Sequence, residues 1–355
     1  MRFKITSGLQ GILITLVLST LTSLPLSGAN PLFTSESLIR MELRTDFSAI
    51  QAERTGTPSY HDGKLIYRPK GGEKITLSVK VMARGNFRLN PANCDFPPLM
   101  IDFKKKEVEN TIFENQKKLK LVTPCQTEED VIDEYMIYKM YNQVTDMSLK
   151  VRLVRISYFD DGTGKKLFDR YSFFIEDKDQ AAVRNNATIK AGTINSASLN
   201  RESYLKLAVF QYMIGNIDWH VELRKNIRII QLKGAPPELY AVPYDFDFSA
   251  FVNAEYSKHH GIPEDILVER RKYLGSCYNE KELHEVFEFY REMKPVFESI
   301  IKEQKLLTRE ERLSVLGYVN KFYAIISNGD NIKKQFLSVC EMEGTEAQRH
   351  RGSTD

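Results

Sequence analysis

Alternation of apolar and polar residues is the main feature of the chain between residues 36 and 125. Five segments repeat with a period of two, and turn-forming clusters of Gly, Pro and Asp punctuate them, as expected for β-strands. These segments are 38–47, 63–69, 74–87, 99–105 and 117–123. The pattern predicts an antiparallel, β-rich unit in this part of the chain.

A helical period replaces the alternation at residue 128. Val131, Tyr135 and Tyr138 recur at helical spacing, and the acidic residues at 128–130 favour the start of a helix. The elements predicted here are a helix over 128–144 and two strands, 149–159 and 169–177.

The remainder of the chain is mostly helical by the same criterion. It contains three predicted helices, 201–217, 280–303 and 308–329, and a short strand over 226–232. The order of elements predicts an α+β fold with two lobes and a cleft between them. The predicted units are a β-rich N-terminal lobe with one helix (36–177), a mostly helical C-terminal lobe (178–340) and a flexible polar tail (341–355).

The first 29 residues have the pattern of a secretory signal peptide. A basic start, MRFK, precedes an apolar run over 11–26, and Ser27 to Ala29 offer small residues for cleavage. We therefore expect an exported protein of the periplasm, cell envelope or extracellular space. An uncleaved N-terminal anchor and a buried helix are the alternatives.

Composition narrows the classes of partner. The chain has 355 residues with 42% hydrophobic and 27% charged residues, which is typical of a globular protein. A net charge of +3, with acids and bases interspersed, gives no reason to expect a nucleic-acid partner. We also expect no membrane contact beyond the signal segment.

The four cysteines lie outside any metal-binding spacing, which makes a structural zinc site improbable. Cys94 and Cys125 bracket one hairpin-rich unit, and export permits disulfides. A bridge between these two is the favoured prediction, with two buried thiols as the alternative.

Two acidic segments carry the candidate chemistry: GNIDWHVELRKN (215–226) and AVPYDFDFSAF (241–251). Asp218 follows a predicted helix end at Gly215, which places it on a loop, where catalytic groups are commonly found. Asp245 and Asp247 would lie on one face of a strand, where metal coordination would compensate their burial. Asn226 is a further candidate metal ligand. The alternatives are an Asx turn at Asp218 and Arg or Lys partners for the aspartate pair.

Cationic residues that suit a phosphate occur earlier in the chain. Lys118 and Lys120 share one face of a predicted strand, and Glu134 on the next helix is placed to hold a lysine. Arg84 begins the segment RGNFR, either a phosphate-binding turn or a hairpin. The alternative for the two lysines is a solvated strand face, and the alternative for Glu134 is an ordinary position on the surface.

The order and spacing of these segments resemble the spore coat protein H (CotH) family of atypical, protein-kinase-like proteins. The resemblance covers roughly residues 75–250, and GNIDWH and PYDFDF more loosely resemble the acidic motifs of HipA-type kinases. The quoted segments are KLKLVTPC, EDVIDEYMIYKMYNQVT, SLKVRLVRISYF, YSFFIED, GNIDWH and PYDFDFS.

The resemblance implies a protein-kinase-like fold and transfer of the ATP γ-phosphate with Mg²⁺ or Mn²⁺. Lys120 would then hold the nucleotide phosphates and Glu134 would fix Lys120. Asp218 would be the base, and Asp245 or Asp247 would bind the metal. The segment 174–177, with Glu176 and Asp177, would meet adenine as the hinge.

These observations lead us to expect an exported atypical kinase that acts on a protein Ser/Thr or another cell-envelope acceptor. One alternative is a non-catalytic kinase-like protein that uses the cleft for binding or assembly. The other is a metal-dependent hydrolase built on Asp218, His220, Asp245 and Asp247.

Overall fold

A computed structural model describes residues 30–257, 271–338 and Cys340. The expected signal peptide at 1–29 and tail at 341–355 lie outside these described residues. Within the described ranges, no helix is both long and apolar enough to cross a membrane.

A closed mixed sheet occupies the first half of the chain, in the strand order β1-β2-β3-β4-β5-β7-β6. Its strands are β1 (Ile39–Thr45), β2 (His61–Tyr67), β3 (Ile75–Ala83), β4 (Leu99–Phe103), β5 (Lys118–Val122), β6 (Val151–Asp160) and β7 (Lys165–Ile175). Neighbouring strands are antiparallel except β1 and β6, which pair in parallel and close the sheet. The antiparallel arrangement predicted for residues 36–125 is confirmed for β1 to β5, and the one parallel pair of this sheet involves β6, which lies outside that range.

Alternate side chains of these strands fill the interior of the closed sheet. Leu43, Leu65, Val81, Ile101 and Leu121 are almost completely buried in one hydrophobic cluster. Since successive strand residues point to opposite faces, the period of two in the sequence is the cause of this core. Two short helices belong to this part of the chain: α1 (Phe47–Ala52) and α2 (Lys105–Val108).

Helix α3 (Glu129–Val144) confirms the predicted helix and packs against both parts of the molecule. It contacts β6 and β7 of the closed sheet on one side and two helices of the second half on the other. Most of its residues are therefore buried, and they include two carboxylates, Asp133 and Glu134.

The second half combines helices with a three-stranded sheet in the order β10-β9-β8. The helices are α4 (Lys178–Arg184), α5 (Arg201–Ile214), α6 (Glu280–Lys302), α7 (Arg309–Ile326) and α8 (Gly329–Ile332). The strands are β8 (Ala187–Ile189), β9 (Ile227–Leu232) and β10 (Leu239–Pro243). The α+β class is confirmed, whereas α4, β8 and β10 were not predicted.

Two disulfides fasten the fold. Cys94 is bonded to Cys125, which confirms the favoured pairing. Cys277 is bonded to Cys340, a pairing that the sequence did not indicate. The first bridge joins the loop after β3 to the loop after β5, so it holds together two segments that border the candidate site.

Candidate functional site

Asp218 lies on a loop that begins where α5 ends. Gly215 ends the helix in the left-handed conformation, at φ 64°, as its position in the sequence predicted. Asn216 Oδ1 then accepts a hydrogen bond from the Asp218 main-chain N–H at 3.0 Å. Asn226, at the far end of the loop, donates from Nδ2 to both the main-chain oxygen and Oδ2 of Asp218, each at 2.8 Å. The loop therefore holds the Asp218 carboxylate in one orientation.

Two further residues of this loop have defined partners. Lys225 Nζ forms an ion pair with Asp218 Oδ1. His220 and Lys225 exchange main-chain hydrogen bonds of 2.9 and 3.0 Å, which closes the loop. The exposed His220 ring lies 3.3 Å from Glu222. His220 is thus directed toward Glu222, not toward the Asp245–Asp247 pair.

Asp245 lies in a turn directly after β10, not on a strand. Its φ is +65°, a left-handed conformation that an extended strand does not contain. Its main-chain N–H donates to the Tyr138 hydroxyl at 2.9 Å. The N–H of the neighbouring Tyr244 donates to the main-chain oxygen of Asn226 at 3.1 Å. The prediction that Asp245 and Asp247 share one strand face is wrong, because this turn separates an exposed Asp245 from a buried Asp247.

Arg88 lies between two buried carboxylates. Its Nη1 is 3.9 Å from Glu134 Oε2 and 3.6 Å from Asp247 Oδ2. Asp247 also accepts a hydrogen bond of 2.9 Å from the Tyr256 hydroxyl, and Glu134 accepts one of 3.3 Å from the Phe246 N–H. Burial raises the pKa of the Glu134 and Asp247 carboxyl groups. The negative charge of the nearby Asp245 raises both pKa values further, whereas the positive charge of Arg88 lowers them.

The expected pairing of Glu134 with Lys120 is therefore replaced by a pairing with Arg88. In the part of the chain that the structure describes, Lys120 has no carboxylate oxygen within 4.0 Å. The physical reason is burial: Glu134 is only 2% exposed and is contacted by the buried Arg88, whereas Lys120 is half-buried. Asp247 is likewise held by Arg88 and Tyr256, which makes it a weaker candidate metal ligand than Asp245.

Three cations lie near the exposed Asp245 or the adjacent Tyr244. Burial lowers the pKa of Lys120 to about 8, and the nearby charge of Arg84 lowers it further while Asp245 opposes the shift. Burial also lowers the pKa of Arg84, again against the charge of Asp245. Arg228 lies over the Tyr244 ring at 4.4 Å, and Lys120 Nζ lies 5.2 Å from the same ring. None of the three cations has a carboxylate within 4.0 Å among the described residues.

Three further residues predicted to bind the nucleotide have different surroundings: Lys118, Glu176 and Asp177. Lys118 is exposed, with its Nζ 5.1 Å from the Tyr60 ring, and takes no part in the cluster around Asp245. The Glu176 carboxylate is buried and is bound by Arg184 at 2.9 and 3.0 Å and by the Lys150 N–H at 3.0 Å. Asp177 begins α4, where it accepts a hydrogen bond from the Asp179 N–H, and its charge acts on Lys120. Since the Glu176 N–H also donates to the Lys150 main-chain oxygen at 2.9 Å, only the carbonyl oxygen of Glu176 is left for a ligand role.

The donor set around Asp245 suits a phosphate-bound Mg²⁺ or Mn²⁺. Among the residues the structure describes, no three His, Cys, Asp or Glu side chains form a metal-binding group. Magnesium in nucleotide sites needs fewer, because one or two protein oxygens and the phosphates complete its coordination. Neither the two oxygens of the Asp245 carboxylate nor Asn226 Oδ1 accepts a hydrogen bond from the described residues, so all three oxygens are available as ligands.

Several residues of this site were not predicted from the sequence, among them Arg228 of β9. Lys225 directly precedes Asn226, and Arg88 ends the RGNFR segment, so both had a local signal. Tyr138 was recognised only as part of the helical pattern, although its hydroxyl accepts a hydrogen bond from the Asp245 N–H.

Comparison of the chain with protein-family models and with curated proteins finds no match in either set.

Proposed function

We propose that this protein is an exported, atypical kinase-like phosphotransferase that uses Mg-ATP or Mn-ATP. The observation that carries this proposal is a group of three cations without close carboxylate partners beside Tyr244 and the exposed Asp245: Arg84, Lys120 and Arg228. Phosphoryl transfer requires positive charge and metal ligands at the phosphates more than covalent help from the protein. This cluster would supply the positive charge and at least one metal ligand.

The order of elements supports a kinase-like arrangement of two lobes. A strand with Lys120 precedes helix α3 with Glu134, and the Asp218 loop precedes the hairpin β9–β10 that leads to Asp245. The Tyr244 to Asn226 hydrogen bond of 3.1 Å connects the last two segments directly. We assign the closed sheet with α3 to an N-terminal lobe and the rest to a C-terminal lobe, with the segment 174–177 as the connection that meets adenine.

Each side chain has a distinct role in this proposal. Asp218 accepts the proton of the acceptor hydroxyl as that oxygen bonds to the γ-phosphorus and the bond to ADP breaks. Asn226 orients Asp218 through its two hydrogen bonds and offers Oδ1 to the metal. Asp245 is the principal metal ligand, and Lys120 with Arg84 holds the phosphates. Bound metal supplies neutralisation of the charge that develops on the phosphates. The acceptor is a protein Ser/Thr or a cell-envelope component.

A second candidate function is favoured by one observation. Glu134 pairs with Arg88, so Lys120 is not fixed by the carboxylate that ordinarily holds such a lysine. A non-catalytic kinase-like protein that binds nucleotide or a partner in the cleft would tolerate this arrangement.

Two measurements on the same variants separate these candidates. The purified protein is incubated with labelled ATP and Mg²⁺ or Mn²⁺, and its melting temperature is measured with the same additions. Saturation at ~100-fold over Kd should stabilise the protein by about 2.7 kcal/mol. Asp245→Asn should lose transfer and the metal-dependent stabilisation, whereas Asp218→Asn should lose transfer by roughly 10²-fold or more and keep the stabilisation.

Asp161→Asn is the matched control, since Asp161 is exposed on the turn after β6. A nucleotide-dependent shift without transfer in the wild type would establish the non-catalytic alternative. The absence of any shift with either metal would refute the kinase proposal and nucleotide binding by the non-catalytic alternative, which would then bind a partner only.

A further inference from the structure

A cavity of about 590 Å³ opens where β1 begins and β2 ends. It shares no lining residue with the site around Asp245. Its volume is within the range of about 300–1,000 Å³ that is usual for small-molecule sites. Its walls are formed by residues between 31 and 40, which lead into β1, by the end of β2 and the segment that follows it (67–70), by Ile112 and by Arg152 of β6.

The charged residues of this cavity are all basic. Arg40, Arg68, Lys70 and Arg152 line it, and no Asp or Glu does. Across the described ranges, none of these four has a carboxylate oxygen within 4.0 Å. Four cations without close counter-charges around one concave surface produce a positive potential there, because the low-dielectric walls concentrate the field.

Arg152 is the buried member of the group. It is 5% exposed, and its Nη2 donates to Ser37 Oγ at 3.2 Å. Its Nε and Nη1 are buried and have no hydrogen-bond acceptor in the described part of the chain. A guanidinium in this condition lowers stability unless a counter-charge compensates it. Glu36 is close enough to act on its charge, but Glu36 is paired with Lys139.

The rest of the wall is largely apolar. Leu32 and Tyr67 are buried at 1% and 3% exposure, and Ile112 and Leu38 also line the cavity. A free inorganic ion would leave this apolar surface wet, whereas a ligand with a hydrophobic body would cover it.

We propose that this cavity binds a small amphiphilic anion: a phosphate, sulfonate or carboxylate group carried on an apolar body. The oxyanion would lie among Arg68, Lys70 and Arg152, and the apolar body would contact Tyr67 and Ile112. Arginine suits such a group because its planar fork can form two hydrogen bonds to one oxyanion.

The test uses two fluorescent probes that share the same rings: anilinonaphthalene sulfonate, which is anionic, and phenylnaphthylamine, which is neutral. The Arg68→Gln/Lys70→Gln variant removes two exposed charges from the cavity. The Lys64→Gln/Lys80→Gln variant is the matched control, because it removes two exposed charges from strands of the same sheet outside the cavity. Near-ultraviolet circular dichroism verifies the fold of every variant.

We expect the anionic probe to bind the wild type and the control alike, and to bind the cavity variant about 10-fold or more weakly. Arg152→Gln should weaken binding to a similar extent, and inorganic phosphate should compete at high concentration. Equal binding of both probes to the wild type would show an apolar cavity without anion selectivity and overturn the proposal. An equal loss in the two double variants would show a general charge effect and overturn it as well.

Discussion

Asn226 donates two hydrogen bonds of 2.8 Å to Asp218, one to its main-chain oxygen and one to its carboxylate. The two residues are at opposite ends of one loop, and the His220–Lys225 bridge closes that loop. Because a single amide group restrains both the backbone and the side chain of Asp218, the direction of the carboxylate depends on Asn226.

Replacement of Asn226 by Ala tests this dependence. We expect phosphoryl transfer to fall by about 10²-fold, since misplacement of a reacting group by about 1 Å has effects of this size. Asn115→Ala is a matched control, because Asn115 also has a positive φ and is exposed. The control measures the backbone cost of Ala in that conformation. Equal activity of the two variants would mean that Asn226 does not orient Asp218.

The buried group of Arg88, Glu134 and Asp247 predicts a large effect on stability. Arg88→Met leaves two buried carboxylates without their cation, and we expect a loss of about 3–5 kcal/mol in the free energy of unfolding. Arg170→Met, on the exposed part of β7, is the control and should change it little. Urea titration measures both.

The pH dependence of the Arg88→Met effect provides an internal check. Burial raises the pKa of Glu134 and of Asp247, so both accept protons more readily in the folded chain. As pH falls, the carboxyl groups become neutral and no longer need Arg88. The destabilisation should therefore be largest at neutral pH and above and should shrink in acid. A loss that is independent of pH would indicate a packing defect instead.

The closed sheet shows what the sequence could predict. The alternation in its strands follows from side chains that face either a core or solvent, and this local cause is visible in the sequence. The strand β10 is short, follows a pair of prolines and ends at Pro243, so its pattern was too weak to recognise. Its sheet position depends on pairing with β9, a contact that no local pattern encodes.

The site was predictable to a different extent. Its acidic residues stood out because two short segments concentrate them, and the structure brings Asp218, Asn226 and Asp245 into connected turns. The alternation of Asp with aromatic residues after Tyr244 imitated a strand, but the left-handed Asp245 breaks it. The partner of Glu134 could not be inferred, because Arg88 reaches it through a tertiary contact between distant segments.

The Cys94–Cys125 disulfide should affect binding as well as stability. It joins the loop that carries Arg84 and Arg88 to the end of the strand that carries Lys120. Its sequence separation of 31 residues corresponds to roughly 3–4 kcal/mol of stabilisation from chain entropy. In Cys94→Ser/Cys125→Ser we expect a comparable loss of stability and a weaker nucleotide-dependent shift.

The second disulfide supplies the control for this experiment. Cys277 and Cys340 are 63 residues apart in sequence, and their bridge joins the segment before α6 to the segment after α8, neither of which carries Arg84, Lys120 or Arg228. Cys277→Ser/Cys340→Ser should lower the melting temperature but retain the shift with nucleotide. If both double variants retain it equally, the first bridge contributes stability alone.

The pKa of Lys120 leads us to predict how nucleotide affinity changes with pH. Burial, with the charge of Arg84, lowers the pKa of Lys120 to about 8, so this lysine loses its charge within an accessible pH range. Only the protonated form attracts a phosphate. One unit above that pKa about a tenth of the molecules carry the charge, and affinity for Mg-ATP should therefore fall by up to about tenfold between about pH 8 and about pH 9. Lys120→Arg should abolish this decline in affinity, because a guanidinium stays protonated over this pH range.

Lys118→Arg is the control and should retain the decline, since Lys118 is exposed beside Tyr60. Calorimetric titration at each pH provides the measurement, and a decline that persists in Lys120→Arg would assign the titration to another group and remove Lys120 from the phosphate site.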